Sequence, residues 1–230
     1  MLDLRWTIPV ARWSSWPAGA ATTPDIGFIE PLVRRRLSTL TKMALKVAHD
    51  CAAHCDAVRL VFASRHGELG RTTGILDDIV AGQPVSPTAF SLSVLNAMAG
   101  VYSIARRDRS PATAISAGAE TLGYALLEAH AQYSADSATP VLVVYADEPA
   151  DARYGSVPHE ASAGALAVLL DRDARWQLEC ATGPAHAGQC ASAFATQSDA
   201  LTHGLTAGAA TTWHGAGRSW AWAVHGGGAL

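Results

Sequence analysis

Two short stretches hold most of the side chains able to do chemistry. His49, Cys51, His54 and Cys55 form one, and Ser64, Arg65, His66 and Glu68 form the other. On a helix, Cys51 and Cys55 share a face, as i, i+4 spacing requires. Zinc would need further ligands converging on that pair, and the chain has no second paired cluster. The stretch therefore reads as polar, half-buried helix residues, and no metal or cofactor is expected. The Ser, His and Glu of the second stretch have the makings of a hydrolase site at the end of a strand, where α/β sheets bind ligands. A nucleophilic serine of that class wants a Gly-x-Ser-x-Gly elbow, which is absent. A structural role is favoured, with partner contact next. Gly67, Gly70 and Gly74 do not match the Gly-x-Gly-x-x-Gly dinucleotide fingerprint. The run Arg34, Arg35 and Arg36 has the charge to attract an acidic or phosphate-bearing partner, and its plainer reading is a solvated helix start.

Composition limits the setting of these residues. The chain has 230 residues, 49% of them hydrophobic and 16% charged, enough to bury a large core in one α/β domain. A net charge of −3 argues against a nucleic-acid footprint. No apolar run approaches the ~20 residues that span a bilayer. The segment from Met1 to Trp16 carries Asp3, Arg5, Arg12 and three tryptophans, and lacks the basic start and apolar middle of a signal peptide. A cytoplasmic setting is the expectation. In a reducing compartment Cys51, Cys55, Cys180 and Cys190 are free thiols.

The pattern alternates strand and helix. Ile8 and Val10 suit a short opening strand, and Gly19 to Asp25 a loop. Leu37, Leu40, Ala44, Leu45 and Ala48 recur at helical spacing, predicting one amphipathic helix from Leu32 to about Cys55. Val58 to Ser64 is a buried strand, and Arg71 to Ala81 a helix closed by Gly82 and Pro84. Ser86 to Arg107 reads as a helix with Gly100 inside it, a position that usually marks close backbone packing. A short strand at Ala112 to Ser116 leads through a tight turn at Ala117 and Gly118 into a helix from Thr121 to Gln132. Strands follow at Pro140 to Pro149 and Ala161 to Asp171, with Trp176 to Cys180 a candidate to pair with the latter. Beyond Gly183, Ala191 to Leu205 suits a helix and Ser219 to His225 a last strand, with Gly226 to Gly228 a frayed tail. The whole is a layered α/β structure with a largely parallel or mixed sheet.

Three segments in order resemble the N-terminal half of the β-ketoacyl synthases. Arg34 to Ala48 is similar to their first long helix. Ser86 to Ser116 resembles the segment before their active-site strand, with Asn96, Ala99, Gly100, Ser103 and Ile104 in an Asn-x-x-Ala-Gly-x-x-Ser-Ile pattern. AISAGAETLGYALLEA looks like their strand, nucleophile elbow and helix. The likeness covers about 28–170, leaves 184–230 poorly matched within a single domain of 1–230, and implies a thiolase-like fold. It also implies the chemistry to look for. Condensation needs a thiolate on a sharp turn at a helix N-terminus, helped by two groups, usually histidines, from the second half of the fold. Ungapped alignment from Pro111 puts Ala119 at the nucleophile position, and a shift of one puts Gly118 there. Neither attacks a thioester. Neighbouring Glu120 complements the positive end of the next helix. His186, His203, His214 and His225 lack a supporting motif and read as surface or structural.

A missing thiol and a missing second half resemble the short chain length factor subunits of aryl polyene biosynthesis. That resemblance implies no catalytic residue, an active ketosynthase as heterodimer partner, and an acyl carrier protein as client. It implies that Ala112, Thr113, Ala114, Ile115 and Ser116 form the strand that pairs across the dimer. Met98 and Tyr102 are candidates for the tunnel wall, and core packing explains them equally well. Two rival readings remain: a stand-alone acyltransferase or thioesterase using Glu120, His66 or Cys51, and a homodimeric module that binds acyl groups or carriers.

Overall fold

The structure, a computed structural model, describes residues 4–17, 19–185, 192–215 and 217–226. Eight strands form one mixed sheet in the order β3-β2-β4-β5-β1-β6-β8-β7. They are β1 (Leu4–Trp16), β2 (Arg59–Ala63), β3 (Ala112–Ile115), β4 (Val141–Asp147), β5 (Gly164–Leu170), β6 (Trp176–Pro184), β7 (Thr211–Gly215) and β8 (Arg218–His225). β2 runs parallel to β3 and β4, and every other pairing is antiparallel. The helices are α1 (Pro31–Arg34), α2 (Thr39–Ala52), α3 (Leu69–Val80), α4 (Pro87–Ser91), α5 (Ala97–Arg106), α6 (Thr121–Ala135) and α7 (Gln197–Ala207). The thiolase-like, layered α/β fold implied by the sequence is the one observed.

Period-2 alternation splits the core between the two faces of the sheet. Leu60, Phe62, Leu142 and Val144 pack with α2 and α5. Val61, Val143, Leu166 and Val168 pack with α6 and α7. α2 buries Leu40, Met43, Ala44, Val47, Ala48 and Cys51, the stripe expected of an amphipathic helix. No helix among the described residues is long and apolar enough to cross a membrane.

Several elements differ from expectation. The helix foreseen from Leu32 to Cys55 is two helices, because Ser38 caps α2 by accepting the Thr41 N–H at 3.0 Å. The one foreseen from Ser86 to Arg107 breaks between α4 and α5, where the Ser91 and Ser93 hydroxyls bond back to carbonyls of Thr88 and Phe90. Gly100 is exposed with open space where a side chain would stand, so close packing does not explain it. Trp176 to Cys180 does not pair with β5, because β1 lies between them. β1 is longer than foreseen, and β7 was hidden among small residues.

The close approach of backbone lies at Gly123 on α6. A Cβ there would stand 2.4 Å from the ring of Trp220 on β8. Gly123→Ala should therefore cost about 1–3 kcal/mol by overpacking. A lower urea midpoint with an unchanged slope is the expected reading, and an unchanged midpoint would show that Trp220 can move aside.

Candidate functional site

β3 ends at Ile115, and the chain reverses through Ser116 to Glu120 into α6. Gly118 is the apex, in left-handed conformation at φ +60°. Thr121 fastens the turn: its hydroxyl accepts the Ala117 N–H at 2.9 Å and donates to the Gly118 carbonyl at 2.7 Å. The strand, sharp turn and helix N-terminus of a nucleophile elbow are thus all present. Gly118 is exposed, and nothing lies within 4 Å of where its Cβ would stand. Ala119 follows it, half-buried. Neither carries a nucleophile.

Beneath the turn the space is filled. Gly118 and Ala119 border a void of only about 10 Å³ closed by Leu122, Tyr145, Gln197 and Trp213. That is about one water's worth, against the hundreds of cubic ångströms of a typical ligand pocket. Gln197 holds α7 to α6 by accepting the Gly123 N–H at 2.8 Å. Glu120 is buried, which raises its carboxyl above the usual range, against the opposing pull of Tyr124, Arg218 and Trp220. It stands at the N-cap of α6 and makes no side-chain capping bond.

A strap from Gly155 to Ala161 lies beside this turn. The Arg65 guanidinium donates to the Pro158 carbonyl at 3.0 Å and to the His159 carbonyl. His66 pairs with Glu160 at 2.7 Å, and the same Glu160 oxygen accepts the Ala161 N–H. His159 lines the void under the elbow at a left-handed φ of 51°, its ring edge-on to Trp213. Sequence reading missed His159, because no motif marks it and only the folded strap brings it there. The buried Asp147 at the end of β4 anchors the base of the strap. It accepts the Ser64 hydroxyl at 3.0 Å and the N–H groups of Arg65 and His66. Burial raises its carboxyl despite those bonds.

In the second polar stretch each side chain is engaged in a bond that holds neighbouring segments together. Ser64 is committed to Asp147 and His66 to Glu160, so they make no nucleophile–base pair. Glu68 accepts the hydroxyls of Ser38 and Thr41, both at 2.6 Å, tying α2 to α3. In the first stretch, burial pushes the Cys51 thiol up to about 12. Burial also raises Cys55 and Cys180. A thiolate nucleophile is therefore disfavoured at all three. His49 stacks on Phe28, 4.1 Å between ring centres.

The other named residues are scattered. Met98 and Tyr102 are buried in the core between α5 and α2, and the Tyr102 hydroxyl donates to the Ala48 carbonyl. Among the described residues, Ala112, Thr113, Ala114 and Ile115 form the outermost strand at one side of the sheet, paired only with β2, and Ser116 reaches back to the Arg65 carbonyl. Arg34 and Arg35 line a surface cleft of about 390 Å³ with Lys42. Arg36 is outside it, its carbonyl accepting from Arg71. His203 lies beside Phe194, His214 bonds Ser219, and His225 faces Glu179. His186 and Cys190 fall outside the described residues.

An elbow on a strand-to-helix turn, set on a mixed sheet with helices on both faces, defines a ketosynthase-like, thiolase-fold subunit. The family model for the β-ketoacyl synthase N-terminal domain matches residues 10–223, and the chain belongs to that family. No curated protein matches it in sequence. Among solved structures, its fold is similar to a chain in the complex of the ketosynthase ApeO with its chain length factor ApeC from Xenorhabdus doucetiae. The TM-score is 0.78 at 23% identity, over 95% of this chain and 99% of that one. The ishigamide ketosynthase/chain length factor matches with TM-score 0.60 and 16% identity, over 77% of this chain and 67% of that one. A β-ketoacyl synthase from Burkholderia phymatum matches with TM-score 0.55 and 12% identity, over 75% of this chain and 54% of that one.

Two measurements test the site. Gly118→Cys should fold at a cost of about 1 kcal/mol for its left-handed backbone. Its exposed thiol should be alkylated readily by iodoacetamide, yet acyl-thioesters should leave no condensation product, because the space beneath is filled. A product detected by mass spectrometry would overturn this. Burial raises Glu160, but the His66 bond, the Ala161 N–H and the Arg65 charge outweigh it and leave the carboxyl below its usual range. A depressed carboxyl stabilises above its unfolded value of about 4.3 and loses that as pH falls through the folded value. Wild type should exceed Glu160→Gln in Tm at neutral pH, with the difference shrinking as pH falls below the usual carboxylate range. A difference that persists in acid would mean the strap is not held by this charge.

Proposed function

We propose that this chain is a non-catalytic chain length factor subunit. It pairs with an active ketosynthase and supports elongation of carrier-bound acyl chains of the aryl polyene type in the cytoplasm. The observation that carries the reading is the elbow. Its backbone, its Thr121 fastening and its helix are retained, while Gly118 and Ala119 stand where a thiol is needed and the space beneath is closed. Scaffold kept without chemistry is what a partner subunit requires. The chain spans about half the length of the Burkholderia synthase and 99% of its match in a ketosynthase–chain length factor complex.

The contacts follow from what each surface can do. An edge strand is a hazard unless covered, so the β3 edge is the surface proposed to pair with the ketosynthase. Met98 and Tyr102 stand behind that surface, and in this reading they shape the acyl tunnel from within the core rather than touch the chain. Arg34, Arg35 and Lys42 make no ion pair among the described residues and suit the phosphate or acidic surface of a carrier protein. The stand-alone enzyme reading has no observation in its favour: Cys51 is buried, His66 is paired, and Glu120 points into the core.

Co-expression with the ketosynthase of the same locus is the test. A stable heterodimer is expected, with shortened or lost products when this chain is omitted. Ala114→Pro, which removes an N–H on the open side of the edge strand and leaves the bonds to β2 in place, should weaken the complex by tenfold or more while the isolated chain stays folded. A homodimer of this chain with no affinity for the synthase, or elongation unchanged in its absence, would refute the proposal.

A further inference from the structure

A second concave site lies at the rim of the sheet near the elbow. It is a groove of about 440 Å³ between the end of β1, the start of β5 and α7. Strand ends at the rim of an α/β sheet are where such folds bind ligands. The volume is that of a small-molecule pocket and too small to seat a helix of a partner protein. Ala163, Gly164 and Ala165 keep one wall low, and Leu166 and Phe194 give it an apolar surface. Most polar groups come from the face of α7 that carries Asp199, Thr202 and His203, and Ser15 and Ser162 add hydroxyls on the facing wall. Among the described residues, Asp199 is the only carboxylate lining the groove, and no lysine or arginine lines it. Among the described residues its carboxylate accepts one weak bond, from the Ser162 hydroxyl at 3.4 Å.

We propose that this groove binds a neutral apolar chain, such as the body of an acyl thioester or alcohol, and excludes fatty carboxylates. An apolar lining attracts the chain by burying its surface. The Asp199 carboxylate, with no lysine or arginine among the described lining residues, repels an anionic head group. Anion exclusion separates an esterified chain from the free acid released by hydrolysis. The acyl class of the ligand rests on the function proposed above, whereas the groove and its charge do not.

The test uses the full chain and Nile red, a neutral apolar dye, followed by fluorescence. Dye bound in the groove should be displaced by 1-decanol at least tenfold more effectively than by decanoate. Asp199→Asn should narrow that gap severalfold. Thr202→Trp places a bulky ring on the half-exposed polar face of α7 and should abolish dye binding while circular dichroism is unchanged. Dye binding unaffected by Thr202→Trp, or decanoate displacing as well as decanol, would overturn the inference. Co-purification of Thr202→Trp with the ketosynthase reads the function proposal separately. A complex that survives alongside a groove that fails sinks only the groove.

Discussion

The sheet depends on β1, which is hydrogen-bonded along both edges by different partners. Its second half, from Val10 to Trp16, pairs with β5, and its first half, from Leu4 to Val10, pairs with β6. The change of partner falls at an irregularity between Val10 and Arg12, where an extra residue breaks the register. Bulges of this kind bend a strand and increase its twist. One strand therefore joins the parallel β3-β2-β4 region, through β5, to the antiparallel β6-β8-β7 region. Trp6, Ile8 and Val10 face the same core as Trp213, Trp220 and Trp222. Without β1 the tryptophan-rich end would have no edge to pair with.

That joint is what closes the elbow. β8 sets Trp220 against Gly123 on the helix that follows the turn, and β7 sets Trp213 into the void below it. In an open site this space would belong to a substrate. Here aromatic packing occupies it, and the gain is the burial of three whole indole rings. The turn itself survives because its shape is set by backbone and by Thr121, neither of which needs a thiol. A turn without a thiol and an elbow geometry are compatible for that reason.

Polar side chains near the site show the same reassignment. Ser64, Arg65, His66 and Asp147 cluster at strand ends, the position where α/β enzymes keep reactive groups. Each is instead spent on holding a loop: Asp147 gathers a hydroxyl and two backbone N–H groups, and Arg65 and His66 secure the strap. Buried carboxylates need such partners, since an unpaired charge in the interior is costly. The same logic places Glu68 between α2 and α3.

Local pattern alone carried much of this. Apolar runs such as VLVVY and GALAVLL are strands wherever they fold, and the stripe of Leu40, Ala44, Val47 and Ala48 is a helix face, because these periodicities are properties of the chain itself. The turn at Ala117 and Gly118 was legible too, as was the absence of a nucleophile on it. Three features were decided only by tertiary structure. Lys42 rather than Arg36 joins Arg34 and Arg35, because the break after α1 turns one basic residue away and α2 brings another round. His159 reaches the elbow only through a strap whose anchors lie over eighty residues earlier in the chain. β7 forms from a stretch with little strand signal because β8 offers it an edge and Trp213 finds a pocket. Sequence spacing reports which face a residue takes on its own element. Which elements meet is set by long-range pairing and burial, and that is where the filled elbow was determined.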